Sequence, residues 1–398
     1  MAHMNRKTIA LLSIAILAVA IVSGLSVLFF LNQEGNVDDR LLKLMREGKV
    51  PSLAAGIVVN DTLVWSAGYG EQSDLDTVYI VGSVSKVFTA TAVMQLYEKG
   101  LVDLDADIND YIPFSVRNPR FPNTVITVRM LLTHSSGLAT DVSNQTLWDL
   151  DADLLKWSND NLGTNFTIWD SRPSLGEFLD ESLNPSGTYY SEDNWVVSGP
   201  SNFWYSNTGF LLLGYIVEQI TNQSFPEYVQ QNLLAPLDMQ STGYDYADFA
   251  GRNAVPHDLK DDEVFELPVS NFYNFGAGGL RSTVGDLSNF LIAHMNEGSY
   301  KGSQVLQPET VDLMQTSQFT FVNQGLGWQL FPGIIGHSGS VVGYRAFIGF
   351  KDVDNVKVGI VFMINQNELL GEDKYLVDTA FHAMANVLFG EAARVAVS

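Results

Sequence analysis

The stretch that decides the fold is Gly82–Gly100, "GSVSKVFTATAVMQLYEKG". Its apolar run predicts a helix from Ser83 to about Lys99, closed by Gly100 as a C-cap. Ser83 and Lys86 stand three apart and so share one face of that helix. An ammonium inside an apolar helix is costly unless burial drives it to the neutral form. A neutral lysine can serve as a base, and a serine hydroxyl is a poor nucleophile until a base takes its proton. The N–H of Ser83, at the helix start, lacks an intrahelical partner and could stabilise an oxyanion. The plain alternative is a serine N-cap beside a solvent-exposed lysine, since Ser-x-x-Lys arises often by chance.

Outward from this helix, the two ends of the chain read as strands. "SLAAGIVV" (52–59), Asn60-Asp61 and "TLVWSAGYG" (62–70) predict a hairpin, as do "GYRAFIGFKD" (343–352), Asp354-Asn355 and "VKVGIVFMIN" (356–365). "KYLVDTAFHAMANVLFG" (374–390) predicts a closing amphipathic helix. Between about residues 100 and 325 the pattern reads mainly as helix, for example "GFLLLGYIVEQITN" (209–222) and "TVGDLSNFLIAHMNEG" (283–298). Strands from both ends could share one antiparallel sheet, with the middle as a second lobe and a ligand cleft between them.

Two more segments carry chemistry. "WYSN" (204–207) sets Tyr205 and Asn207 just before an apolar helix, where an extended backbone would turn both to one side. "GHSGS" (336–340) sets His337, Ser338, Gly339 and Ser340 at the start of a strand, with Gly339 allowing close backbone approach. In the order "SVSK", "YSN", "HSG", together with "LLTHSSGL" (131–138) and "GAGGLRSTVGDLSNFL" (276–291), the chain resembles the serine β-lactamase and penicillin-binding-protein-like hydrolases. The branch concerned holds class C β-lactamases, D-Ala-D-Ala carboxypeptidases, D-aminopeptidases and esterases. The resemblance covers roughly residues 37–390.

It implies an α+β, β-lactamase-like fold: an antiparallel sheet flanked by terminal helices plus a mostly helical lobe, preceded by one N-terminal transmembrane helix. The implied hydrolase domain runs over 38–398, with an α/β lobe at about 38–82 and 326–398 and a helical lobe at about 88–325. Ser83 would be the nucleophile that forms an acyl-enzyme. Lys86 and Tyr205 would share the proton work. Asn207 would hold the substrate amide or Lys86. The N–H groups of Ser83 and Ser340 would form the oxyanion hole, and His337 would line the far side of the cleft. The departure is His337: class C β-lactamases usually carry Lys-Thr-Gly here. An imidazole supplies only conditional charge near pH 7, which points away from efficient β-lactamase action and toward peptidase or esterase members.

The bulk numbers agree with an enzyme acting on small molecules. The formal charge is −23, from 45 acids against 22 bases, which disfavours nucleic acid and anionic lipid surfaces. With no cysteine, there is no disulfide, thiolate nucleophile or lipoprotein anchor. No cofactor or metal is expected. Met1–Met4 read as an added leader. The charge-free run Thr8–Leu31 is long enough to span a bilayer, and its end, "VLFFLNQ", makes a poor cleavage site. Arg6 and Lys7 before it put residues 1–7 in the cytoplasm. A linker at 32–37 then leads to an extracytoplasmic domain, secreted if the segment is cleaved. Four Asn-x-Ser/Thr triplets suit that side weakly. Five of seven tryptophans (148, 157, 169, 195, 204) cluster in a stretch whose only bases from 140 to 250 are Lys156 and Arg172. They read either as an acidic, aromatic wall for apolar or cationic substrates or as ordinary packing.

Rival motifs fail. "GHSGS" has Ser340 where Gly-x-Ser-x-Gly needs glycine, "DLDADIND" (103–110) has Ile108 where a calcium loop needs glycine, and "GAGGLR" ends in Arg281. His134 reads as a hydrogen-bonding residue at a helix end. The reading is a membrane-anchored serine hydrolase cleaving a small peptide, amide or ester, first a peptidase of D-amino-acid or cell-wall-like type. An esterase or weak β-lactamase, and a non-turnover sensor or scaffold, stay open.

Overall fold

The computed structural model describes residues 35–260, 262–319, 322–367 and 374–397. The expected membrane segment at 8–31 lies outside them. Among the described residues no helix is long and apolar enough to cross a membrane.

The central feature is a six-stranded, fully antiparallel sheet in the order β2-β1-β12-β11-β10-β9. Its strands are β1 (Ser52–Val59), β2 (Thr62–Gly70), β9 (Gln329–Phe331), β10 (Ile334–Val341), β11 (Tyr344–Val353) and β12 (Val356–Ile364). Both hairpin turns are tight. Asn60 is left-handed at the first, and Asp354 and Asn355 both are at the second, which suits the right-handed twist of the strands. The sequence ends meet where β1 pairs with β12, Ala55 opposite Phe362.

Alternation along these strands builds two cores. Leu53, Ala55, Ile57, Ile360 and Phe362 face one side, against helices α1 (Val37–Glu47) and α11 (Lys374–Ala396). Ala54, Val58, Ala346, Ile348, Val361 and Met363 face the other, where the helical region packs. That region contains α2 (Ser85–Glu98), α3 (Val128–Leu132), α4 (Gln145–Asp149), α5 (Ala152–Leu162) and α6 (Leu175–Leu183). It continues through α7 (Asn207–Thr221), α8 (Phe225–Val229), α9 (Val284–Met295) and α10 (Pro308–Gln315).

Helix α2 is the axle of the molecule. Twelve of its residues, Ser85 to Leu96, are buried on all faces, so it has no solvent stripe to make it amphipathic. Phe88 stacks on Phe290 of α9 at 3.8 Å between ring centres. Each such fully buried side chain contributes roughly 1.5–3 kcal/mol relative to exposure. The helix begins later than the sequence suggests: Ser83 sits in a 3-10 turn, Gly82–Val84, and α2 proper starts at Ser85. The middle of the chain is also less helical than its composition suggests. Three small antiparallel pairs interrupt it: β3 (Tyr79–Ile80) with β6 (Arg281–Ser282), β4 (His257–Lys260) with β5 (Glu263–Glu266), and β7 (Ser299–Tyr300) with β8 (Ser303–Gln304). Long irregular stretches lie at 111–127 and 163–174. Apolar runs there are core-facing loop residues, for which burial alone does not select a helix.

Candidate active site

The 3-10 turn that carries Ser83 is pinned against strand β10. Gly82 has φ +52°, and a Cβ there would come within 2.7 Å of Ser340 N. A Cβ on Gly339 would lie 1.9 Å from Val81 O and 3.1 Å from Ser83 N. Only a glycine at 339 lets the strand backbone approach the Ser83 turn this closely. The N–H-bearing backbones of Ser83 and Ser340 are thereby neighbours. Ser83 is half-exposed at the end of this contact.

One turn on, Lys86 is fully buried. Its Nζ contacts three oxygens: Ser83 Oγ at 3.0 Å, Asn207 Oδ1 at 2.7 Å and Ala277 O at 2.8 Å. Desolvation pulls its pKa down to about 7, opposed by the negative charge of Asp141 and Asp149. That shift penalises the ammonium by roughly 5 kcal/mol relative to the amine. The three contacts have different chemistry. Ala277 O and Asn207 Oδ1 can only accept, whereas Ser83 can donate. A neutral amine has two N–H bonds and one lone pair. The two carbonyl oxygens occupy both N–H bonds, which leaves the lone pair for the Ser83 hydroxyl.

The orientation of Asn207 is set in turn. Its Nδ2 donates to Asp141 Oδ1 at 2.9 Å, so its Oδ1 must face Lys86. Asn207 is the first residue of α7, with Ser206 as N-cap accepting from Gly209 N. It is thus helical, not part of an extended pair with Tyr205. Tyr205, half-buried, precedes the cap and lies against Lys86, with Nζ 5.0 Å from the ring centre. Burial raises the Tyr205 pKa well above that of a free phenol, while the nearby Ser83 side chain pulls it back. Tyr205 is therefore a neutral hydroxyl at pH 7. The ring of His134 packs on Tyr205 at 4.3 Å, and His134 Nδ1 accepts from Ser206 N at 3.1 Å. This residue, just past the end of α3 and buried, holds Tyr205 in place.

The third element differs from the sequence reading. His337 lies in the middle of β10, not at its start, and is fully buried. It does not line an open cleft. Strand parity turns it toward Lys86, and its Nδ1 bonds to Ser338 O at 2.7 Å. Burial, with Lys86 charge next, lowers its pKa to about 3. His337 is thus uncharged at neutral pH. Ser338 is exposed on the opposite face of the strand, opposite Phe347, so its side chain does not face Ser83. The Ser340 hydroxyl accepts from Asn367 Nδ2 at 3.0 Å.

Three features escaped the sequence. Asp141 and Ala277 orient Lys86 through a side chain and a carbonyl 55 positions or more away, and no spacing signals them. Asp149, buried in α4, sits beside Asp141. Its pKa is pushed well up by burial and by Asp141. Among the tryptophans, Trp148 and Trp195 are core residues, and Trp148, Trp169 and Tyr189 cluster on Phe178, which is packing. Two of the four carboxylates of the 103–110 loop are taken by arginines: Asp105 by Arg129 at 2.8 Å, and Asp107 by Arg117. Among the described residues no group of three or more His, Asp or Glu could hold a metal ion.

The Beta-lactamase family model matches residues 37–384. Protein flp of Staphylococcus aureus is 25% identical over 336 residues, covering 81% of this chain and 61% of that protein. The chain therefore spans about 61% of that relative's length. The octameric penicillin-binding protein homologue from Pyrococcus abyssi superposes with a TM-score of 0.68 at 24% identity, over 89% of this chain and 77% of that one. The D-amino acid amidase from Ochrobactrum anthropi does so at 0.65 and 19% identity, over 92% and 100%. At these identities the likeness of the solved structures is one of fold.

Proposed function

The chain belongs to the beta-lactamase family of serine hydrolases, and on that premise we propose that it hydrolyses an amide or ester through an acyl-enzyme on Ser83. The observation that carries this is the arrangement at Lys86. Its Nζ lies within 2.8 Å of two acceptor-only carbonyl oxygens and 3.0 Å from Ser83 Oγ, so the neutral amine gives its two hydrogens to the carbonyls and keeps its lone pair for the Ser83 hydroxyl. A pKa of about 7 makes the neutral form available at physiological pH.

In this mechanism Lys86 Nζ takes the Ser83 proton as Oγ bonds to the substrate carbonyl carbon. The N–H groups of Ser83 and Ser340 receive the developing oxyanion. Tyr205, a neutral phenol, relays the proton from Lys86 to the leaving amine or alcohol as the C–N or C–O bond breaks. Lys86 then takes a proton from water as it attacks the acyl carbon, and returns it to Ser83 Oγ as the acyl C–Oγ bond breaks and the carboxylic acid leaves. His337 positions strand β10 and carries no fixed charge, which argues against efficient capture of a β-lactam carboxylate. The neutral His337 and the fold shared with the D-amino acid amidase support a peptidase or amidase of D-amino-acid type, ahead of an esterase. In the same reading residues 8–31 tether the domain to a membrane on its outer side. Alkaline extraction of membranes from cells making the full chain tests the tether, and a freely released protein refutes it.

A fluorophosphonate probe with intact-mass readout tests the hydrolase. We expect one adduct on the wild type, none on Ser83→Ala, and turnover of D-aminoacyl amides or p-nitrophenyl esters. Labelling that survives Ser83→Ala refutes the assignment, and a stable adduct without turnover of any substrate would make the protein a sensor.

A further inference from the structure

Helices α1 and α11 lie antiparallel, and the two ends of the pair differ in role. At one end Gly48, just past α1, packs on Ala380 of α11, so closely that a Cβ on it would lie 2.5 Å from the Ala380 Cβ. Val377, in the same part of α11, borders a cavity of about 380 Å³ that Asn207 and Ser340 of the candidate active site also border. Arg345, another lining residue, is ion-paired with Asp378. The Ser83 cleft therefore lies at the start of α11.

At the opposite end Asp38 and Arg40 of α1 are near enough to Glu391 of α11 for their charges to act on it. Both tight turns of the sheet arrive there. Asn60 N donates to Lys357 O at 2.8 Å, and Lys351 Nζ stands 5.1 Å from the centre of the Phe389 ring. The chain enters the domain at this end. Five residues separate Leu31, where the charge-free run stops, from Val37, a reach of roughly 20 Å at full extension. From Val377 to Arg394, α11 rises roughly 25 Å. Charge follows the same axis. The stretches 141–173 and 258–266, which supply wall residues to the cavity, hold eleven acids against three bases. The stretches that meet at the entry end, 37–43, 60–61, 351–357 and 388–397, hold six acids against five bases. Val397 is 64% exposed there.

We propose that the domain stands on this charge-balanced end against an anionic phospholipid surface, with the Ser83 cleft held at the far end and turned to the aqueous side. This rests on the tether proposed above for residues 8–31, and not on the hydrolase chemistry. An anionic surface repels the acidic cleft rim within a Debye length of about 8–10 Å, and repels the balanced end far less. The short linker keeps the entry end close to the bilayer, and the charge contrast selects the upright pose among those the linker allows. Cations at the foot are matched within it, Lys43 by Glu47 at 3.8 Å and Arg394 by Glu391 through Nε at 3.0 Å, so the selection comes from the contrast between the two ends. Val397 is the apolar side chain placed to enter the headgroup layer. With the cleft at the far end of α11, the substrate arrives from water, and a lipid embedded in the same bilayer does not reach Ser83.

The chain has no cysteine, so a single introduced one takes a nitroxide label alone. Asp61→Cys and Arg394→Cys mark the foot at exposed sites and change its charge in opposite directions. Lys156→Cys marks the cleft end, exposed on α5, whose Leu154 and Ser158 line the cavity. Each full chain is placed in phosphatidylcholine vesicles holding about a third phosphatidylglycerol and a nickel-chelating lipid. We expect the headgroup nickel to relax the labels at 61 and 394 about fivefold or more faster than the label at 156, and the contrast to shrink to within about twofold in about 1 M salt. Equal relaxation at all three sites, faster relaxation at 156, or a contrast unchanged in pure phosphatidylcholine overturns the proposal. A chain that does not float with the vesicles rejects the tether and the pose together, whereas one that floats without contrast rejects the pose alone. Fluorophosphonate labelling of Ser83 scores the hydrolase separately.

Discussion

Replacing Asp141 by asparagine should move the alkaline-going limb of the pH–rate profile to lower pH. Below the Lys86 pKa of about 7 the base is protonated and the rate should fall tenfold per unit. Asp141 acts on that midpoint because its negative charge favours the ammonium. Lys86 Nζ lies 2.7 Å from Asn207 Oδ1, and Asn207 Nδ2 lies 2.9 Å from Asp141 Oδ1. Adding the width of the amide puts charge and amine roughly 7 Å apart, which at an effective dielectric of 20–80 is worth about 0.6–2.4 kcal/mol. The sign is fixed: losing the anion destabilises the charged lysine, so its pKa falls. Because Asp141 is exposed, the smaller end applies, and the midpoint should drop by about 0.5–1 unit. Asparagine keeps an acceptor for Asn207 Nδ2, so the geometry survives. The assay is kcat/KM for a neutral p-nitrophenyl ester from pH 5 to 9, each variant normalised to its own plateau. With a one-unit shift, the normalised rate at pH 6 rises about fivefold. Asp149→Asn is the comparison: its charge acts on Lys86 less than that of Asp141, and burial pushes its carboxyl well up, so it should move the midpoint less. A midpoint that stays put or moves up in Asp141→Asn refutes Lys86 as the titrating base.

Gly339→Ala should slow Ser83 labelling by a hundredfold or more, since its Cβ would sit 1.9 Å from Val81 O and push β10 off the nucleophile turn. Thermal denaturation should register about 1–3 kcal/mol of overpacking, and unchanged labelling would show that the contact is not needed. His337→Ala should lower the plateau rate through lost support of β10, yet shift the midpoint by less than about half a unit, because the ring stays uncharged above pH 5. A larger shift in the same ester assay would make His337 a titrating group of the reaction.

Much of the scaffold was legible from local pattern. The two hairpins could be read because their turns are short and polar and their strands strongly apolar, which fixes pairing without distant information. Gly339 was readable as a point of close approach because no other residue has that allowance. The irregular stretches of the middle were not, since buried loop residues and buried helix residues share one composition. His337 was misplaced for a similar reason. Its sequence neighbours do not say which strand face is covered, and burial rather than residue type sets its charge.

At the site, sequence alone determined the reactive groups: a serine and a lysine one turn apart, a phenol and an amide before a second helix, and a glycine in a strand. Those identities set what bonds can form. Tertiary structure decided which of them is a base and which way each points. Lys86 can serve as the proposed base only because it is removed from water, and in its neutral form the lone pair is left for Ser83 only because Ala277 O and Asn207 Oδ1 take its hydrogens. Asn207 presents that oxygen only because Asp141, 66 residues away, takes its amide hydrogens. Desolvation and hydrogen-bond direction depend on everything packed around a group, and a linear sequence does not contain that surrounding until the chain has folded.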